Sequence, residues 1–201
     1  MIVQTTDFKM GAFIPNVDDA PNSEIIGNEP ILQDFITTEV EDICVELLGY
    51  DLWSELKAEL TDPNQTLPAG AAQKWLDLVN GKDNYPGMKK FLVPYVFYKF
   101  LLNDRSSYST IGTHQETSDS ATRVEPSAKA ISEYQKFYKF SVGTFAEGPK
   151  VITNSYGMTG IVWGSYGSQF ASMYDFLSEN IDTYSTWVAN LNIPQHNLYD
   201  I

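Results

Sequence analysis

The run Phe91-Leu92-Val93-Pro94-Tyr95-Val96-Phe97-Tyr98-Lys99-Phe100-Leu101-Leu102 is apolar on nearly every side. A helix with such a surface must be buried by several neighbours. The spacing predicts a helix over about residues 87–102, with Pro94 either kinking it or marking its true start. No run of 18 apolar residues occurs in the chain, so no membrane span is expected. The rest of the chain must therefore supply the cover. The reading is a mainly α protein, a helical bundle of about five to six helices with a long projecting loop or β-hairpin and extended termini.

The covering helices show in the apolar period. Ile31, Leu32, Phe35, Ile36, Val40, Ile43, Cys44, Leu47 and Leu48 form one stripe, with Asn28 as cap, Pro30 in the first turn and Gly49 as stop. Asp51 is expected to cap a second helix through Leu60, with Leu52, Trp53 and Leu56 on one side. A third helix is expected over about 69–79, anchored by Trp75, Leu76 and Val79 and ended by Asn80-Gly81. Pro126 opens a fifth, with Ala128, Ile131, Tyr134, Tyr138, Val142 and Phe145 inward. A sixth is expected over about 168–190, from Phe170, Tyr174, Leu177, Ile181, Tyr184 and Val188. Val151-Ile152-Thr153 and Ile161-Val162-Trp163 suit a small hairpin. Residues 1–27 read as an extended arm, with a short strand near Ile2-Val3 or Ala12-Ile14. The chain thus divides into the arm, a helical core over 28–147 and a C-terminal part over 148–201.

Residues 103–125 form a polar loop between two apolar helical segments. Most connections in compact domains are about 4–6 residues. A loop this long usually reaches a ligand, a lid position or another chain. Without an apolar stripe, its residues Ser106 to Ser120 are expected to be dispensable for folding and needed for assembly.

Charge is distributed unevenly. Residues 1–60 hold 13 acids and 2 bases, a net of −11, whereas residues 82–150 hold 7 acids and 10 bases, a net of +3. Glu29, Asp34, Glu39, Glu41, Asp42 and Glu46 share the first helix with no base. Such a face needs open solvent or a cationic partner. The acid excess argues against sequence-specific DNA binding, which needs a basic face. It suits head-to-tail self-association through unlike charges, or a surface that repels nucleic acid. Arg105, Arg123, Lys129, Lys136 and Lys139 flank or follow the loop and could meet the acidic helix of a neighbouring copy or a phosphate backbone.

Chemistry-bearing patterns are sparse. Cys44 is the single cysteine and falls in an apolar stripe, so it reads as a buried structural thiol. His114 and His196 are far apart in loops, so no metal cluster is expected. Glu39, Asp42 and Glu46 lie on one helix face, but acid–base work needs a cleft and unlike environments. Gly164-Ser165-Tyr166-Gly167 lacks the nucleophile-elbow spacing, and no phosphate-binding loop occurs. No catalytic residue, cofactor or metal is expected. The first residues lack a basic region followed by an apolar stretch, so no secretion signal is read there.

Four segments together carry a resemblance. Leu47-Leu48-Gly49-Tyr50-Asp51-Leu52-Trp53-Ser54-Glu55-Leu56 is followed by Lys74-Trp75-Leu76-Asp77-Leu78-Val79-Asn80-Gly81. The apolar Tyr95-to-Leu101 helix comes next, then a polar loop through His114-Gln115-Glu116 that closes on Ala121-Thr122-Arg123-Val124-Glu125-Pro126. This order over roughly residues 28–145 resembles head–tail connector (adaptor, or ring) proteins of tailed bacteriophages, especially those of Bacteroidetes phages, including the crAss-like type. The resemblance implies a non-enzymatic virion protein of the phage neck, made in the host bacterial cytoplasm and assembled as a ring, commonly a dodecamer. It implies the portal and other neck or tail proteins as partners, with DNA passing through the channel without sequence-specific binding. Arg105, His114 and Arg123 are then candidate subunit or portal contacts. Glu39, Asp42 and Glu46 are candidates for an acidic channel wall or an interface, since an acidic wall repels phosphates that a basic wall would bind tightly. The alternatives are a stopper or tail-completion neck protein, a small hydrolase using Glu39, Asp42 and Glu46, and a carbohydrate-binding module using Tyr156, Trp163 and Tyr166.

Overall fold

The apolar run around Pro94 folds as one helix, and other helices cover it. The computed structural model describes residues 2–8, 29–60, 66–103, 107–109, 112–114, 126–143, 149–153, 159–163, 171–190 and 193. These contain six α-helices: α1 Glu29–Leu48, α2 Tyr50–Glu59, α3 Gln73–Asn80, α4 Lys89–Asn103, α5 Pro126–Ser141 and α6 Met173–Glu179. Two antiparallel hairpins accompany them: β1 Ser107–Ser109 with β2 Gly112–His114, and β3 Pro149–Thr153 with β4 Thr159–Trp163. The chain is mainly α.

Pro94 lies inside α4 and does not start it. It has no N–H to give the carbonyl of Lys90 four residues back, a defect of about 3 kcal/mol in a helix interior. Phe91, Leu92, Val96 and Phe97 are buried on the same helix. Burial of each is worth about 1.5–3 kcal/mol, so packing outweighs the proline. α5 runs antiparallel to α4: Tyr98 meets Tyr134 at 4.9 Å, Tyr95 meets Phe137 at 4.8 Å, and Lys90 stands 5.3 Å from the Phe140 ring. α1 packs on α4 through an edge-to-face pair, Phe35 and Phe100, at 6.1 Å.

Several boundaries differ from the sequence expectation. α2 begins at Tyr50 with Gly49 as its N-cap residue and no side-chain cap bond, so Asp51 supplies first-turn charge and does not cap. Gly49 has φ +78°, which lets α1 end at Leu48 and α2 start at Tyr50 with a single residue between them. α3 starts at Gln73, later than expected, and buries Trp75, Leu78 and Val79, with Leu76 half-buried. On α5, Ala128 is exposed, and Ala130 and Phe137 are buried beside Ile131, Tyr134 and Tyr138. Asn28 and Phe145 lie outside the described residues.

The largest departure is α6. Ser172 caps it: its Oγ accepts the Asp175 N–H at 3.1 Å, and the Asp175 carboxylate accepts the Ser172 N–H at 3.2 Å. The helix ends after seven residues because Asn180 leaves helical geometry and its side chain donates to the Phe176 carbonyl at 2.8 Å. Turns follow over residues 180–186, yet Tyr184 and Trp187 remain buried. Tertiary contacts hold this segment. The Tyr184 hydroxyl donates to the Lys74 carbonyl at 2.6 Å, and the Trp187 indole donates to the Leu47 carbonyl at 3.2 Å.

The expected hairpin over 151–163 is present, with Val151 opposite Ile161 and Ile152 opposite Gly160. Within 103–125 the chain forms the short β1–β2 hairpin, with Tyr108 opposite Thr113. At the N-terminus, Ile2-Val3 is not a strand. A 3-10 helix spans Thr5–Asp7, and Ile2, Val3 and Phe8 are buried. The Ala12-Ile14 segment lies outside the described residues. Ile2, Val3 and Phe8 share one hydrophobic cluster with α1, α4, α5, α6 and Ile193. Described residues from all three segments read from the sequence thus contribute to one cluster.

Candidate functional site

Lysines converge where α4 crosses α5. Lys89, Lys90 and Pro94 come from α4, and Glu133, Lys136, Lys139 and Phe140 from α5. Between them lies a groove of about 500 Å³. Antiparallel packing creates this cluster, because it sets the first turn of α4 beside the last turns of α5. The side chains at 89, 90, 136 and 139 are exposed, while Glu133 is buried, 4% accessible.

Each groove residue has a distinct environment. Lys136 reaches back one helical turn to the Glu133 carboxylate at 2.6 Å. Lys136 thereby satisfies the buried Glu133 charge and is itself held at the rim. Lys89 pairs with Asp7 at 3.0 Å, which brings the N-terminal 3-10 helix to the edge of the groove. Lys90 and Lys139 flank the Phe140 ring at 5.3 and 5.6 Å. Neither has a carboxylate within ion-pair distance among the described residues. A ring with two ammonium groups close to it offers an apolar surface beside positive charge. The groove can bind an anionic partner that also presents some apolar surface.

The acids of α1 are less isolated than the sequence suggests. Glu39 pairs with Lys99 of α4 at 3.1 Å, and Glu41 pairs with Lys57 of α2 at 2.6 Å. The Glu46 carboxylate accepts from Asn190 at 3.3 Å. Glu39 is half-buried, and Asp42 and Glu46 are exposed. The helix lacks a base of its own and takes its counter-charges from neighbouring helices. Tyr95 of α4 is pushed above the ordinary phenol range, first by burial and then by Glu39, Glu46 and Asp42. All three acids therefore act on the α4 surface next to Tyr95. The α4–α5 groove is lined by other residues.

Other expected site residues are placed as follows. His114 ends β2, paired with Ser107. Arg105, Arg123, His196, Tyr156 and Tyr166 lie outside the described residues, and Trp163 ends β4 opposite Pro149. Lys129 stands 4.7 Å over the Phe97 ring. Cys44 is fully buried in the core, where burial first and Glu41 second push its thiol upward. Among the described residues no group of three or more His, Cys, Asp and Glu is placed to hold a metal ion. No described helix is long and apolar enough to cross a membrane. Lys136 and Lys139 were expected to be available to a partner. Lys89, Lys90, Glu133 and Phe140 were not singled out. The spacing of Lys136, Lys139 and Phe140 on one helix face was the available signal.

Comparisons with protein-family models, with curated proteins and with solved structures gave no match.

Proposed function

We propose that this chain is a structural subunit of a homo-oligomeric assembly, an adaptor ring in the neck of a tailed bacteriophage between portal and tail. One observation carries the reading: a single body bears an acid-rich helix, α1, and a lysine-lined groove between α4 and α5. Repeated copies can join such unlike surfaces head to tail, and a head-to-tail contact that closes makes a ring. The order of segments over residues 28–145 supplies the connector character of the proposal. The remaining acid excess suits a channel wall that lets DNA slide without binding it.

The test is imaging of purified virions by electron microscopy. The expected result is density for this fold in a ring directly below the portal. Density in the capsid shell, or no copies in the particle, would sink the proposal. A position further down the neck would favour the stopper or tail-completion role, which shares the same charge logic.

A further inference from the structure

We infer that the α4–α5 groove is the socket for the exposed acids of α1 from a second copy of this chain, so that copies join head to tail through it. The inference rests on the proposed ring and names the surfaces that would build it. Three observations select this occupant. First, the groove contributes four lysines against one carboxylate, and that carboxylate is already bound to Lys136 at 2.6 Å. Lys90 and Lys139 keep their charge for an incoming anion.

Second, α1 presents the complement. Glu39 and Glu41 are taken up by Lys99 and Lys57 of the same chain. Asp42 and Glu46 are exposed one turn apart and have no cation within ion-pair distance among the described residues. They are the complement of Lys90 and Lys139, the two groove lysines without a carboxylate partner among the described residues.

Third, the two surfaces do not satisfy each other within one chain, since among the described residues Lys90 and Lys139 are not paired with α1 acids. A contact between copies removes both excesses together. Phe140 adds an apolar surface at the middle of the contact, where interfaces concentrate their binding energy. A phosphate backbone is the competing anion. It fits the lysines less well than a carboxylate row does, because Glu133 lies among them and the whole chain carries a net charge of −13.

The test is a charge swap on the full chain, read by sedimentation velocity and native mass spectrometry at low salt. One variant carries Lys90→Glu and Lys139→Glu, and the other carries Asp42→Lys and Glu46→Lys. None of the four side chains is buried, and circular dichroism melts check that each variant folds. Each alone should self-associate at least tenfold more weakly than the parent chain. Mixed, they should assemble in strict one-to-one alternation, because every mixed contact is again acid against base. The chain with all four changes should recover self-association, and the parent assembly should weaken as salt rises.

Unchanged association of either variant overturns the inference, as does failure of the mixture and the fourfold variant to recover. A parent chain that stays monomeric at every concentration and salt tested also overturns it. In that case the ring below the portal can still be found in virions, so the two readings fail separately. A short DNA duplex is the second probe. DNA binding lost in the Lys90→Glu, Lys139→Glu variant, with self-association intact, would make the groove a nucleic-acid surface and overturn the inference.

Discussion

The Trp187 indole and the Leu47 carbonyl form a hydrogen bond of 3.2 Å between positions 140 apart in sequence. Trp187 is fully buried and packs edge-on against Tyr174 at 5.3 Å. Leu47 lies in the last turn of α1, where carbonyls have no partner within their own helix. The indole therefore satisfies the end of α1 from the far side of the chain. Trp187→Phe should lower stability by about 2–4 kcal/mol, combining an orphaned carbonyl with lost volume. Urea unfolding should show a lower midpoint with an unchanged slope. A loss below about 1 kcal/mol would mean that the bond contributes little.

The link between α3 and α4 depends on two glycines that stand back to back. Gly81 and Gly87 have φ of +96° and +86°. A Cβ on Gly81 would stand 2.5 Å from the Tyr85 carbonyl oxygen, and one on Gly87 would stand 2.6 Å from the Asn80 carbonyl carbon. Both neighbours are backbone and cannot swing aside. Gly81→Ala should cost more than the roughly 1–3 kcal/mol of backbone strain alone. Gly70 has open space around its Cβ position, so Gly70→Ala should stay within about 0.5 kcal/mol of the parent. Equal thermal melts for the two variants would contradict the close approach.

Alkaline pH should unfold the protein. Burial raises the phenols of Tyr85 and Tyr174 well above their ordinary value. In the folded chain they keep their protons to higher pH than in the unfolded chain, so unfolding releases protons. Their stabilising contribution is full below about pH 10 and falls as pH rises above it, by about 1.4 kcal/mol per pH unit for each phenol. Cys44, also raised by burial, adds the same sign from about pH 8.5 upward. Circular dichroism and phenolate absorbance should therefore change together. Tyr85 has a buried hydroxyl with no hydrogen-bond partner among the described residues, although its ring stacks on Phe176 at 4.6 Å. Tyr85→Phe should leave the stack in place, stabilise the chain by about 1 kcal/mol at neutral pH and flatten the alkaline limb. Destabilisation would point to a partner for the hydroxyl.

Pro94 is the residue of α4 whose local preference conflicts with its surroundings. It is half-buried and lines the lysine groove. Pro94→Ala restores an N–H for the Lys90 carbonyl and should stabilise the monomer by about 1–3 kcal/mol. Differential scanning calorimetry measures this directly. If the same variant self-associates more weakly, the proline shapes the groove at the expense of the helix, as functional surfaces often do. A destabilised variant would mean that packing of the ring outweighs the missing bond.

The fold was legible wherever an apolar period coincided with real helical burial. Leu32, Ile36, Val40, Ile43 and Leu47 reveal α1 because one helix face meets the core throughout. Tyr184 and Val188 continue the same period beyond α6, but their segment turns after Asn180, and tertiary hydrogen bonds determine its path. Sequence period records burial and does not record what path the backbone takes to achieve it. Capping differs for a related reason: Asp51 has the right chemistry, but Gly49 already holds the N-cap position two residues earlier. The groove was only half legible. Lys136 and Lys139 are neighbours in sequence, whereas Lys89 and Lys90 join them only once α4 and α5 lie antiparallel. The pairing of Glu39 with Lys99 and Glu41 with Lys57 likewise depends on contacts between helices.

The hydrogen bond between Trp187 and Leu47 also bears on biosynthesis. Ribosomes add about 5–20 residues per second, so α1 is made on the order of ten seconds before the indole that completes it. Until then the end of α1 is unsealed, and the apolar side chains of α4 lack part of their final cover. Nascent chains in this interval expose sticky surface, and a truncated product ending before residue 187 would keep it exposed. Yield during expression should therefore respond to chaperone supply and to translation speed more than the stability of the finished protein would suggest.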